Sequence, residues 1–274
     1  MRIGQRGALC KTGLVRSAAA MAIAVSLAGC ASHDRMTTGT VNRATASYPV
    51  ENLSATQLQS EADQLGRAYA RDPENKALSL RYAAVLQMSG RQDQSLAVMR
   101  RAVIVHPKDR DVLAAYGKAL AAAGEFEPAL DAVRRAQTPE YPDWKLVSAE
   151  AAILDQLGRP QEARELYRRA LELRPNEPSV LSNLGMSYVL EGDLKTAETH
   201  LRKAIAASGA DSRVRQNLAL VVGLQGRFQE AEQIASQELS ADQAQANVAY
   251  LRSMLAQQNA WSQLEKEEEE TNTN

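Results

Sequence analysis

The chain has 274 residues, 45% hydrophobic and only 4% aromatic, with 32 basic against 33 acidic side chains. That apolar fraction excludes wholesale disorder, and the balanced charge argues against a nucleic-acid binder. Two Cys and three His leave little for a disulfide scaffold or a multi-ligand zinc site. Abundant Ala, Leu, Gln, Glu and Arg, with few β-branched runs, favour helices over strands.

Residues 1–17 carry Arg2, Arg6, Lys11 and Arg16 and no acid, and an apolar run follows from Ala18 to Ala28. As a helix that run would span about 16 Å, short of the ~30 Å core of a bilayer. A basic start, a short apolar centre and small residues at its end predict a secretory signal peptide over 1–29. Its end, Leu27-Ala28-Gly29-Cys30, resembles the lipobox of bacterial lipoproteins. The resemblance implies cleavage before Cys30 and acylation of that Cys, palmitate included. Ala31, where Asp would signal retention, implies delivery to the outer membrane, lipid-anchored and facing the periplasm. Loss of 1–29 removes four basic residues and no acid, moving the net charge from −1 to −5. The segment 30–53, rich in Ala, Ser and Thr and without apolar periodicity, reads as the lipidated Cys and a flexible tether.

The body is periodic. Gly90, Gly124, Gly158, Gly192 and Gly226 stand 34 residues apart. Ser95, Ala129, Ala163, Ala197 and Ala231 follow at the same period, as do Ala102, Ala136, Ala170 and Ala204. A further row runs Asn75, Asp109, Asp143, Glu177, Asp211. Asn and Asp before a helix can cap its free amides, glycine after a helix supplies a left-handed turn, and small residues allow two helices to approach closely. Apolar residues at helical spacing, such as Leu113, Tyr116 and Leu120, fill the intervals. Pro107 and Pro175 fall between registers, and Pro73 matches them one period earlier.

This pattern resembles the tetratricopeptide repeat, a helix–turn–helix unit. The resemblance implies an all-α fold, a right-handed solenoid of antiparallel helix pairs over 54–264. The expected parts are a cap helix over 56–71, repeats at 76–109, 110–143, 144–177, 178–211 and 212–245, and a closing helix over 246–264. The acidic end, 265–274, should be a disordered, solvated tail. Glu150, Arg215 and Ala235 depart from the pattern, because bulkier apolar residues are expected there.

No catalytic constellation emerges. His33, His106 and His200 fall in the tether, a turn and a helix, and no phosphate-binding glycine motif occurs. The expectation is a protein that is not an enzyme and takes no cofactor, metal or small-molecule substrate. Arg100-Arg101, Arg134-Arg135, Arg168-Arg169 and Arg202-Lys203 form a basic ladder at the repeat period. Its plainest reading is dipole complementation and surface cover on the second helix of each pair, and it gives no sign of nucleic-acid binding.

In tetratricopeptide arrays the first helix of each pair lines the concave face. By that resemblance the groove residues are Leu80, Ala84 and Met88, then Lys118, then Ser182, Met186, Val189 and Leu190, then Gln216, Leu220 and Leu224. Ala114, Ala122, Ser148, Ala152 and Asp155 fall on the same face. The lining is mostly apolar, as a protein-binding groove requires. The carboxylate clamp of chaperone-binding relatives does not fit, because Ser182 and Met186 stand where its residues belong. Either a partner segment or the chain's own closing helix could fill such a groove.

Lipobox, short tether, about five repeats and an end reading Tyr250-Leu251-Arg252 … Asn259-Ala260-Trp261 together resemble the TadD lipoproteins of tight-adherence (Flp) pilus systems. That resemblance implies protein partners among the pilus-assembly components, the outer-membrane secretin first. A second reading is an adaptor lipoprotein that docks cell-wall synthases or hydrolases.

Overall fold

Each 34-residue register folds into two helices joined at its glycine. The computed structural model describes residues 53–138, 140 and 142–272, with side chains through Gln257. The expected signal peptide, Cys30 and nearly all of the tether lie outside the described residues. The described residues form twelve helices and no strand. α1 (Ala55–Arg71) precedes five pairs: α2 (Lys76–Met88) with α3 (Gln92–Val105), α4 (Arg110–Ala122) with α5 (Phe126–Ala136), α6 (Trp144–Gln156) with α7 (Pro160–Leu173), α8 (Pro178–Leu190) with α9 (Leu194–Ala206), and α10 (Ser212–Leu224) with α11 (Phe228–Ala235). α12 (Ala241–Asn272) closes the chain.

Local chemistry sets each boundary. The side chains of Asn75, Asp109, Asp143 and Asp211 accept hydrogen bonds from free amides in the first turns of α2, α4, α6 and α10. Glu177 makes no such bond, and Pro178 opens α8 instead. The ladder glycines all have φ between +72° and +81°, where a side chain would be strained. At Gly90 the glycine N–H donates to the Gln87 carbonyl at 3.0 Å and the Arg91 N–H to that of Leu86 at 2.8 Å. These two bonds make a Schellman turn, which satisfies carbonyls left free at the helix end.

The small-residue rows are the closest contacts. Ala129, Ala163, Ala197 and Ala231 are fully buried. Ser95 fills the same slot in the first pair and donates to the Ala83 carbonyl at 2.8 Å. One apolar core runs from Ala83 to Leu184, and a second gathers around Leu201, Leu218, Val221 and Val222, with Tyr188 touching both. The first helices of successive pairs pack on one another from α2 through α10 and on to α12; among the described residues no comparable packing joins successive second helices. The even-numbered helices therefore form the shorter, inner side of the stack.

The expected departures have partners. Glu150, 9% exposed, accepts from Arg134 Nε and from Gln137 Nε2, both at 2.7 Å, so the preceding pair neutralises it. Arg215 is bridged to Glu238. At Ala235 the chain does differ: α11 ends there after only eight residues.

Both ends of the array depart from the expected boundaries. Ser54 and Gln57 form a capping box, and Leu53 packs on the cluster of Leu58, Ala62 and Val85 as a hydrophobic staple. Leu53 thus belongs to the fold and not to the tether. A second box, Ser240 with Gln243, starts α12 at Ala241 and not at 246. α12 then runs on to Asn272, through the acidic run that was expected to be a disordered tail. Glu, Gln, Lys and Ala are strong helix formers, and that propensity outweighs the repulsion among neighbouring carboxylates.

Candidate functional site

Of the side chains expected on the inner face, all but Ser148, Asp155 and Ser182 keep some exposure. Leu80 and Ala84 are half-buried, Leu80 against the main core and Ala84 against the α1 cluster. Met88 is 50% exposed and Leu190 62% exposed. Lys118 is exposed; Gln216, Leu220 and Leu224 are half-buried. Met186 and Val189 are also half-buried and pack on the second core cluster, so they are partly structural.

Ser182 is one of the three. It is 4% exposed and its hydroxyl accepts from Asn217 Nδ2 at 3.0 Å, so it joins α8 to α10 and does not line open surface. Ser148 and Asp155 are likewise buried. The inner helices approach one another at these positions, and the approach covers short side chains while leaving Leu190 and Met88 standing clear.

α12 does not lie in the groove. Among the described residues it packs on α10 and α11, in the place that the first helix of another pair would take. A Cβ on Gly223 would overlap the Leu251 side chain, and Arg252 lies 4.6 Å from the Phe228 ring centroid. Tyr250, 66% exposed, and half-buried Met254 were missing from the expected site. The Ser240–Gln243 capping box is the sequence signal that would have placed them.

Beneath the groove lies a polar cluster that the 34-residue pattern does not predict. Asp155 accepts from Ser187 Oγ at 2.8 Å and from Tyr167 Oη at 3.1 Å. Burial pushes the Asp155 carboxyl above the usual carboxylate range, against the pull of both hydroxyls and of Arg164. Burial also raises the Tyr167 phenol, with Asp155 adding to it. Arg164, 7% exposed, donates to Glu191 at 2.8 Å and lies 4.9 Å from the Tyr188 ring centroid. Tyr188 in turn stacks on His200 with centroids 5.5 Å apart. Burial first, then Lys203 and Arg168, pushes the His200 imidazole down, towards its neutral form. The cluster ties two consecutive helix pairs, α6 with α7 and α8 with α9, together and is too enclosed to meet a large ligand.

Much of the basic ladder is engaged in ion pairs. Arg100 pairs with Glu125, Arg134 with Glu150, Arg135 with Asp131, and Arg202 with Glu198 and Glu230. Among the described residues, no group of three His, Cys, Asp or Glu side chains is placed to hold a metal ion. No described helix is long and apolar enough to cross a membrane.

Fold and inner face together define a tetratricopeptide-repeat solenoid, a scaffold suited to binding other proteins. The tetratricopeptide repeat family model matches residues 86–143, 113–178 and 148–212 in overlapping windows. The fold is similar to that of TTC0263, a thermophilic protein of this repeat type from Thermus thermophilus, at 23% identity and a TM-score of 0.57, covering 65% of this chain and 98% of that one. It is also similar to PilW, a type IV pilus biogenesis factor, at 19% identity and a TM-score of 0.56, covering 73% and 91%. The Cut9–Hcn1 structure gives 16% identity and a TM-score of 0.58, covering 74% of this chain and 40% of that one. At these identities the likeness is one of fold. No curated protein matches the chain by sequence.

Proposed function

We propose that the protein is a non-catalytic lipoprotein scaffold, anchored through Cys30 to the outer membrane and facing the periplasm. Its inner groove binds a protein partner. The partner is a component of a pilus-assembly machine, the outer-membrane secretin of a tight-adherence (Flp) system first. The observation that carries the binding role is the apolar inner-face row of exposed Leu190 and half-buried Leu220 and Leu224. The Leu27-Ala28-Gly29-Cys30 sequence behind a basic, apolar leader supports the anchor. The TadD resemblance supports the choice of machine, and the fold shared with PilW is compatible with it.

Two measurements test this reading. Labelled palmitate should enter the wild type and not Cys30→Ser, since acyl chains supply about 0.8 kcal/mol of membrane affinity per buried CH₂. The lipidated protein should co-purify with the pilus secretin expressed in the same cells. Absence of label from the wild type rejects the anchor, and absence of secretin rejects the partner.

A further inference from the structure

The inner face changes character along the array. Counting each register from its first helical residue, the ninth and thirteenth places form two parallel rows one helical turn apart. On α4 the ninth place is Lys118; on α8 and α10 the two places hold Met186 with Leu190 and Leu220 with Leu224. Lys118 is the one charged residue in these rows from α2 to α10, and bulk rises from Ala152 and Gln156 on α6 towards α12.

α12 continues both rows. Ser187, the tenth residue of its register, donates to Asp155, the twelfth of the register before. Leu251 meets Gly223, again a twelfth residue, so Leu251 takes the tenth place of a further inner helix. Tyr250 then falls in the ninth place and Met254 in the thirteenth. Tyr250 is 66% exposed, a large aromatic with no ring partner among the described residues, at the end of an apolar row.

We infer that α8, α10 and α12 together form one docking surface for the uncharged apolar face of an amphipathic helix from a protein partner, with Tyr250 and Met254 as its last wall. This deepens the groove reading above and rests on it. The geometry favours a helix. Packed helices lie about 8–10 Å apart, and a helix advances ~10.5 Å in seven residues. Apolar residues at i and i+7 of the partner therefore meet successive inner helices, and those at i+3 or i+4 fill the second row. An extended strand offers one face only through alternate residues in a single line. Charge sets the occupant's chemistry: no Asp, Glu, Lys or Arg stands in these rows on α8, α10 or α12, so a charged stripe would be desolvated without a partner. Two Met side chains let the surface adapt to Leu, Ile or Phe.

The test uses the purified full chain carrying Cys30→Ser, which has no acyl chain to compete for an apolar probe. The probe is a labelled synthetic helix of about 18 residues, enough for three inner helices. It has Leu at i, i+3, i+4 and i+7 and Gln or Ala elsewhere, and binding is read by fluorescence anisotropy. The expected result is saturable binding, weakened about tenfold or more by Tyr250→Asp with Met254→Asp and by Leu190→Asp. Ile104→Asp, 77% exposed on the outer helix α3, should change it less than about twofold. A peptide of the same composition with a central Pro should not bind. If Leu190→Asp weakens binding and the α12 pair does not, the role of α12 is overturned and the groove reading stands. If neither does while the probe binds, both fall. Equal binding of the Pro peptide overturns the helical occupant, and no binding of either peptide overturns the apolar class.

Discussion

Ser187 on α8 donates a 2.8 Å hydrogen bond to the buried carboxylate of Asp155 on α6, across the boundary between two repeats. Tyr167, on the second helix of the earlier pair, supplies the other hydroxyl. A carboxyl group thus sits inside the stack, held by two neutral donors, with its pKa raised chiefly by burial.

That arrangement has a pH dependence of defined sign. A carboxyl whose folded pKa is raised contributes stability that is full below its unfolded pKa and is lost as pH rises through the folded value. Asp155→Asn does not titrate and keeps an acceptor for Ser187. The wild type should therefore gain stability relative to Asp155→Asn as pH falls from neutral towards 4, near the ordinary value of 3.8. Asp155→Leu should instead cost about 1–3 kcal/mol at neutral pH, because two buried hydroxyls lose their acceptor. Urea melts of the three proteins at both pH values measure this.

Ala163 and Ala197 lie fully buried where the two helices of a pair meet. Ala163→Leu and Ala197→Leu should each cost roughly 1–3 kcal/mol by overpacking. Glu165→Leu, on the exposed side of α7, should stay within about 0.5 kcal/mol. Thermal melts compare them, and equal midpoints would contradict the packing described.

The length of α12 makes a prediction that differs from that for a disordered tail. Deleting 266–274 should lower helix content by circular dichroism and leave the melting midpoint unchanged. Deleting from Asn247 onward removes Val248 and Leu251 and uncovers the cluster of Val221 and Val222. That protein should melt earlier and aggregate, as a solenoid without its terminal cap does.

The parts legible in the sequence were those set by local chemistry. The positive φ that only glycine adopts easily leaves a trace at Gly90 through Gly226, and the capping side chains leave theirs at Asn75, Asp109, Asp143 and Asp211. The strict 34-residue period then carried each register into the next. Reading was weaker where the outcome depends on a neighbouring repeat. Ser182 looked like lining, yet the approach of α10 buries it against Asn217. Glu150 looked like a packing fault until Arg134 and Gln137 closed on it. The start of α12 was readable in Ser240 and Gln243, but the fixed period pointed five residues further on, since it takes no account of the short α11.

The central claim, that an apolar inner groove assembles a partner, is tested most directly by an immunoblot of heat-resistant secretin multimers. The informative variant is Leu190→Asp with Leu220→Asp, chosen over Met186 because Met186 packs on the core. It should be lipidated, exported and helical, yet leave the secretin unassembled, because a carboxylate buried in the complex is costly. Arg168→Glu with Arg169→Glu, exposed on the outer helix α7, should keep full multimers. Full multimers in a folded groove variant, or their loss only in the arginine variant, would contradict the account.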